Sequence, residues 1–105
     1  MRMAKAKVEA GICGFVASIE ATAGGRQVAL RIISDCPRVQ KMAETLTEVD
    51  GLAVIGPRSR PNPINEAAAE ARLHAACVVP TAIIKAIEVA AGLALPRDVH
   101  IQIEA

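Results

Sequence analysis

Three cysteines and a histidine hold most of the chemical potential of this chain: Cys13, Cys36, His74 and Cys77. Thiolate and imidazole are the ligands of a closed tetrahedral zinc site of the Cys3His kind. The same set, thiolates foremost, suits an iron–sulfur cluster. His74 and Cys77 lie three residues apart, and on a helix that spacing points both side chains the same way. Glu70, one turn earlier, is placed to orient the imidazole by a hydrogen bond. Only His74 and Cys77 form a close pair, whereas strong zinc motifs bring their ligands as two such pairs. The competing reading is packing, since cysteine is a small hydrophobe that is often buried.

Cys36 carries a second possibility. In Ser34-Asp35-Cys36-Pro37 the thiol falls in a first helical turn, where free amides and the helix dipole favour thiolate. Such a group serves as a nucleophile or a sulfur carrier, with His74 as the candidate base. Asp35 opposes this by setting a negative charge beside it, and no second cysteine stands at C-x-x-C spacing. Arg58 and Arg60, with Asn62 and Asn65 near a helix start, form a candidate anion site at free backbone amides. His100 beside Asp98 reads as a solvated side chain, and Glu44 and Glu48 as the wet side of a helix. Gly24-Gly25 has no phosphate-loop context and reads as a turn.

The elements that must position these residues follow from periodicity. Three stretches alternate with period two: Ala4 to Ile12, Phe15 to Thr22 and Val28 to Ile33. Ala23-Gly24-Gly25 makes a tight hairpin between the second and third. Gly11 and Gly14, flanking Cys13, mark a bend or bulge between the first two. Ser34-Asp35 then starts a helix with Pro37 in its first turn. Val39, Met42, Ala43, Leu46 and Val49 form its buried stripe as far as Asp50-Gly51.

Leu52 to Ile55 reads as a short fourth strand, and the proline-rich run 56–63 as a loop. A second helix is expected over Ile64 to Ala76. After an interruption at Val79-Pro80-Thr81, a third is expected over Ala82 to Ala91, stopped by Gly92. Val99, Ile101 and Ile103 alternate with His100, Gln102 and Glu104 as a last strand. The order βββαβααβ predicts a two-layer α+β domain, with a mostly antiparallel sheet and helices on one face. On this reading 1–105 is a single domain. Cys13 at a strand bend and Cys36 at a helix start are both element ends that such a fold can bring together.

Composition narrows the function classes. Of 105 residues, 52% are hydrophobic and 22% charged, which excludes a disordered chain. The formal net charge of +1 speaks against a broad phosphate-binding face. A single aromatic residue, Phe15, against 21 alanines leaves no stacking platform for single-stranded nucleic acid. Apolar runs are broken by Pro80, Lys85, Glu88 and Pro96, so none spans a bilayer. No export signal is legible at the start, which makes the cytoplasm the expected compartment and reduced thiols the expected state. An odd number of cysteines points the same way. Small alanine-rich helices leave a thin core, and either a metal tie or a homo-oligomer interface would offset it.

The phrases Ala10-Gly11-Ile12-Cys13-Gly14-Phe15, Ser34-Asp35-Cys36-Pro37, Leu73-His74-Ala75-Ala76-Cys77 and the run from Lys85 to Pro96 resemble a small uncharacterised family. It comprises short proteins of anaerobic bacteria and archaea, classed as a domain of unknown function. The resemblance spans nearly the whole chain and implies no established activity. An anaerobic setting would favour an iron–sulfur cluster over zinc. Three functions remain open: a metal-binding protein using Cys13, Cys36, His74 and Cys77, a thiol protein using Cys36 with His74, and a metal-free oligomeric interaction module.

Overall fold

Alternation of small and branched apolar residues with charged ones builds the first half of the molecule. In the computed structural model, which describes residues 2–56 and 61–105, it gives strands β1 (Arg2–Glu9), β2 (Val16–Gly24) and β3 (Gln27–Ser34). They pair antiparallel in sequence order, with Ala6 opposite Ile19 and Ile19 opposite Ile32. Period two then sends Ala4, Val8, Ile19, Ala21, Leu30 and Ile32 to one buried face. Lys5, Glu20 and Arg31 form a cross-strand row on the other, with Lys5 and Glu20 3.9 Å apart. Gly25 takes φ +64° at the first loop position of the second hairpin, where a tight turn wants glycine.

Beyond the sheet follow α1 (Pro37–Thr45), β4 (Glu48–Asp50), α2 (Gly51–Ile55), α3 (Pro63–Glu70) and α4 (Val79–Ala90). β4 adds to β3 antiparallel, giving a sheet of order β1-β2-β3-β4. α4 packs on β1 and β2, and α1 on β3, so the helices cover the apolar face of the sheet. Ile64, Ile83 and Ile87 lose all exposure there, together with Met42, Val39 and Val79. The α+β class and the antiparallel sheet match the sequence reading. The chain order is βββαβααα.

Five expectations are corrected. The first helix stops at Thr45, and Val49 leaves its stripe to pair with Val28 in β4. Leu52–Ile55 is helical because the Asp50 carboxylate accepts the Leu52 amide at 2.9 Å and caps a new turn. A four-residue apolar run cannot by itself declare helix or strand. The helix expected over Ile64 to Ala76 ends at Glu70. There Arg72 takes φ +60°, and the Leu73 amide reaches back to the Ala68 carbonyl at 3.0 Å, a Schellman-type stop built without glycine.

The last strand is the fourth correction. Residues 93–105 form no helix or strand, and Val99, Ile101 and Ile103 are exposed. Alternation states a capacity to join a sheet, but the partner edge has to be reached. α4 also begins earlier than expected, at Val79, because Pro80 fits a first turn. It ends at Ala90, and the expected left-handed glycine follows, Gly92 at φ +78°. The loop bearing Arg58 and Arg60 lies outside the described residues. No helix among the described residues is long and apolar enough to cross a membrane.

Candidate functional site

One end of the sheet gathers three element ends: the β1–β2 loop, the β3–α1 junction and the α3–α4 loop. Between them lies a cavity of about 250 Å³, and Cys13, Cys36, His74 and Cys77 all line it. The rest of the wall is mostly apolar, with Phe15, Val16, Val39, Leu73 and Val79, and includes Ser34 and Arg38. The four residues singled out by type are separated by up to 64 positions in sequence (77 minus 13) and share one hollow.

Each arrives there for a local reason. Cys13 rides the tip of the β1–β2 hairpin, which is closed by the Ala10 amide donating to the Phe15 carbonyl at 3.0 Å. Gly11 and Gly14 flank it at φ +89° and +76°, a loop shape that ordinary side chains resist. The expected bend is therefore a complete four-residue loop. Its thiol is exposed, 4.0 Å from the Ala10 carbonyl oxygen.

Cys36 is the N-cap residue of α1, with extended backbone at φ −69° and ψ 120°. Its amide donates to Ser34 Oγ at 3.1 Å, and that hydroxyl donates to the Val16 carbonyl at 2.8 Å. Gln40 adds a side-chain bond to the Ser34 carbonyl at 2.8 Å. Four residues thus fix the backbone of the junction, while the Cys36 side chain makes no capping bond. Its thiol is half-buried and unengaged by the helix it precedes.

His74 and Cys77 sit in the loop after α3 and not on a helix. The turn is closed by the Cys77 amide donating to the His74 carbonyl at 3.0 Å. A β-turn keeps its first and fourth residues close, so the expected pairing survives through a different geometry. Arg38 Nη1 donates to the Arg72 carbonyl at 2.9 Å and ties α1 to the start of this loop. Glu70 is not among the cavity residues, because the helix ends before it can sit one turn from His74.

Sequence reasoning missed Phe15 and Arg38, both of which line the cavity. Their signal was adjacency: each lies two residues beyond a cysteine already singled out. Elsewhere, Asn62 is committed to structure, its side chain accepting from the Ile64 amide and donating to the Val54 carbonyl. His100 and Asp98 are exposed, in keeping with a solvated pair of side chains. Among the described residues, no three His, Cys, Asp or Glu side chains stand in an arrangement that could hold a metal ion. The four cavity residues share walls without converging. The three cysteines are free thiols.

A family model described as a family of unknown function (DUF6951) matches residues 4–103. The chain belongs to that family. No curated protein and no solved structure matches it. The DUF6951 match runs from β1 through the α3–α4 loop to Ile103, so it takes in every cavity residue and most of the exposed segment after α4. Membership in DUF6951 assigns no chemistry to these residues, which have to be read from their geometry.

Proposed function

We propose that this protein binds a soft metal centre, zinc or an iron–sulfur cluster, through Cys13, Cys36, His74 and Cys77. The observation that supports this is their common cavity, three thiols and one imidazole drawn from three separate element ends. Zinc ligands stand about 2.0–2.3 Å from the metal, so binding draws the two loops inward. The β1–β2 loop has two glycines for that movement, and the α3–α4 loop is a turn with little regular structure. The centre would pin together the hairpin, α1 and the loop before α4. Its role is structural or one of carrying, unless a ligand position opens to substrate.

The test is loading of anaerobically purified protein with zinc, and separately with ferrous iron and sulfide. Metal per chain is then measured beside Cys13→Ser, Cys36→Ser and Cys77→Ser variants. Stoichiometric metal in the parent and loss in each variant supports the reading. Equal metal content in parent and all three variants, or none in any, sinks it.

A second reading rests on a specific observation, the N-cap thiol of Cys36 facing the same hollow as His74. The imidazole would serve as the base for this thiol. On this reading Cys36 alone is expected to be alkylated rapidly at neutral pH in metal-free protein, and His74→Ala to slow it. Alkylation of all three thiols at the rate of a free peptide thiol would count against it.

A further inference from the structure

The segment 93–105 carries five exposed large apolar residues, Leu93, Leu95, Val99, Ile101 and Ile103, which no element among the described residues covers. Ile101 and Ile103 are 65% and 88% exposed. From Val99 to Glu104 apolar and polar residues alternate, the pattern of a strand with one buried face. At the other end of the chain, β1 is an edge strand of eight residues whose outer side pairs with no other strand among the described residues. Edges of this length invite pairing unless they are covered.

The two are adjacent. Val79 shares the cavity with Ala10 and Val16, while Gly92 lies directly against the Arg2 guanidinium. α4 therefore runs opposite to β1 and releases the segment beside the start of β1. A segment folding back onto its own β1 would run parallel to it. The whole sheet is antiparallel, and parallel pairing is slightly the weaker arrangement.

We propose that two copies of this chain exchange residues 98–104, each adding a strand antiparallel to β1 of the other. The order across the joint is then β1, the partner's segment, the chain's own segment, and the partner's β1. Every neighbour in that series is antiparallel. Each segment turns back at the end of α4 and runs parallel to its own β1, two positions away from it. It has to cross two strand spacings, about 10 Å, and the five residues 93–97 reach up to about 17 Å.

Register follows from face and charge. Ile103 opposite Ala6 and Ile101 opposite Val8 extend the buried face of the sheet. The same alignment sets Glu104 against Lys5 and His100 against Glu9 on the solvent side. A slip by one residue would turn the three apolar side chains to water. The hinge holds Gly92 in the left-handed region and Pro96, which stiffens the extended exit.

The exchange uses none of the side chains of Cys13, Cys36, His74 and Cys77. The full chain is sized by sedimentation velocity at high micromolar concentration, beside an Ile101→Asp variant. A dimer that becomes monomeric in the variant, with unchanged helical circular dichroism, is the expected result. In a Cys13→Ser background, Lys7→Cys with Gln102→Cys is then oxidised and resolved without reductant. The register places these cysteines opposite each other across the joint, so a disulfide-linked dimer is expected. A monomeric parent, a dimer untouched by Ile101→Asp, or a 7–102 bond closed within one chain would each overturn the proposal.

Discussion

His74 and Cys77 stand at the two ends of one β-turn, joined by a 3.0 Å bond from the Cys77 amide to the His74 carbonyl. Two candidate ligands are thus held together by backbone alone, on a loop released from α3 by the left-handed Arg72. This couples them as a unit. If both serve one metal, His74→Ala and Cys77→Ser each weaken cobalt(II) binding at least tenfold. The double variant loses no more than slightly beyond the worse single. The thiolate-to-cobalt absorption band in titrations measures this, and fully additive losses would show that the two residues act apart.

Arg72 pays a conformational penalty at φ +60°, a region that costs an L-residue about 1–2 kcal/mol. Its side chain is exposed, and its carbonyl, which accepts from Arg38, is present in any residue. Arg72→Gly is expected to raise unfolding stability by up to about 1 kcal/mol, after glycine's greater unfolded freedom is deducted. Arg72→Val is expected to lower it. Urea unfolding midpoints of the three proteins provide the comparison.

Ile87 lies at the centre of the α4 face that covers β1 and β2, with no exposed surface. With alanine so frequent in the core, few large side chains remain to fill a gap. Ile87→Ala should therefore cost about 2–5 kcal/mol. Chemical denaturation would read this as a lower midpoint at unchanged slope. A loss well under that range would mean that the helix layer collapses freely onto the sheet.

Asp50 has its carboxyl held below the ordinary carboxylate value, first by the Arg26 hydrogen bonds and then by the Leu52 amide. A depressed folded pKa stabilises the fold above the unfolded pKa of about 3.9. That contribution is lost as pH falls through the lower folded value. Acid should therefore weaken the link between the β2–β3 hairpin and α2 only below the usual carboxylate range. In Arg26→Ala the Asp50 carboxyl titrates closer to its ordinary value, and carbon-detected NMR of the carboxyl follows it. An unchanged titration would show that the backbone amides of Leu52 and Ala53 set the shift.

The three-stranded opening was legible because buried residues obey period two within each strand: Ala4 and Val8, then Ala17, Ile19 and Ala21, then Val28, Leu30 and Ile32. The first helix was legible in existence and not in extent. Val49 suits a helical stripe and a strand equally, and the ladder with Val28 decided between them. The α3 stop at Arg72 had no sequence mark, since arginine is not a usual left-handed residue and its strain is borne by surrounding bonds. Cys13, Cys36, His74 and Cys77 were found by chemical type alone, and their shared cavity depends on loop ends that no periodicity describes. The segment around Ile101 alternates as a strand would and yet forms none, so the expected last strand was wrong. Pairing is a property of available edges, and β1 lies antiparallel to the helix that delivers the segment.

Phe15 is the chain's sole aromatic side chain, and it lines the cavity with the thiols. With neither tryptophan nor tyrosine, the polypeptide is almost transparent in the near ultraviolet. Any group held in that hollow would report its own absorption, dichroism and fluorescence with scarcely any background from the chain. The protein is thereby a natural optical blank, on which even a weak thiolate charge-transfer band would be visible.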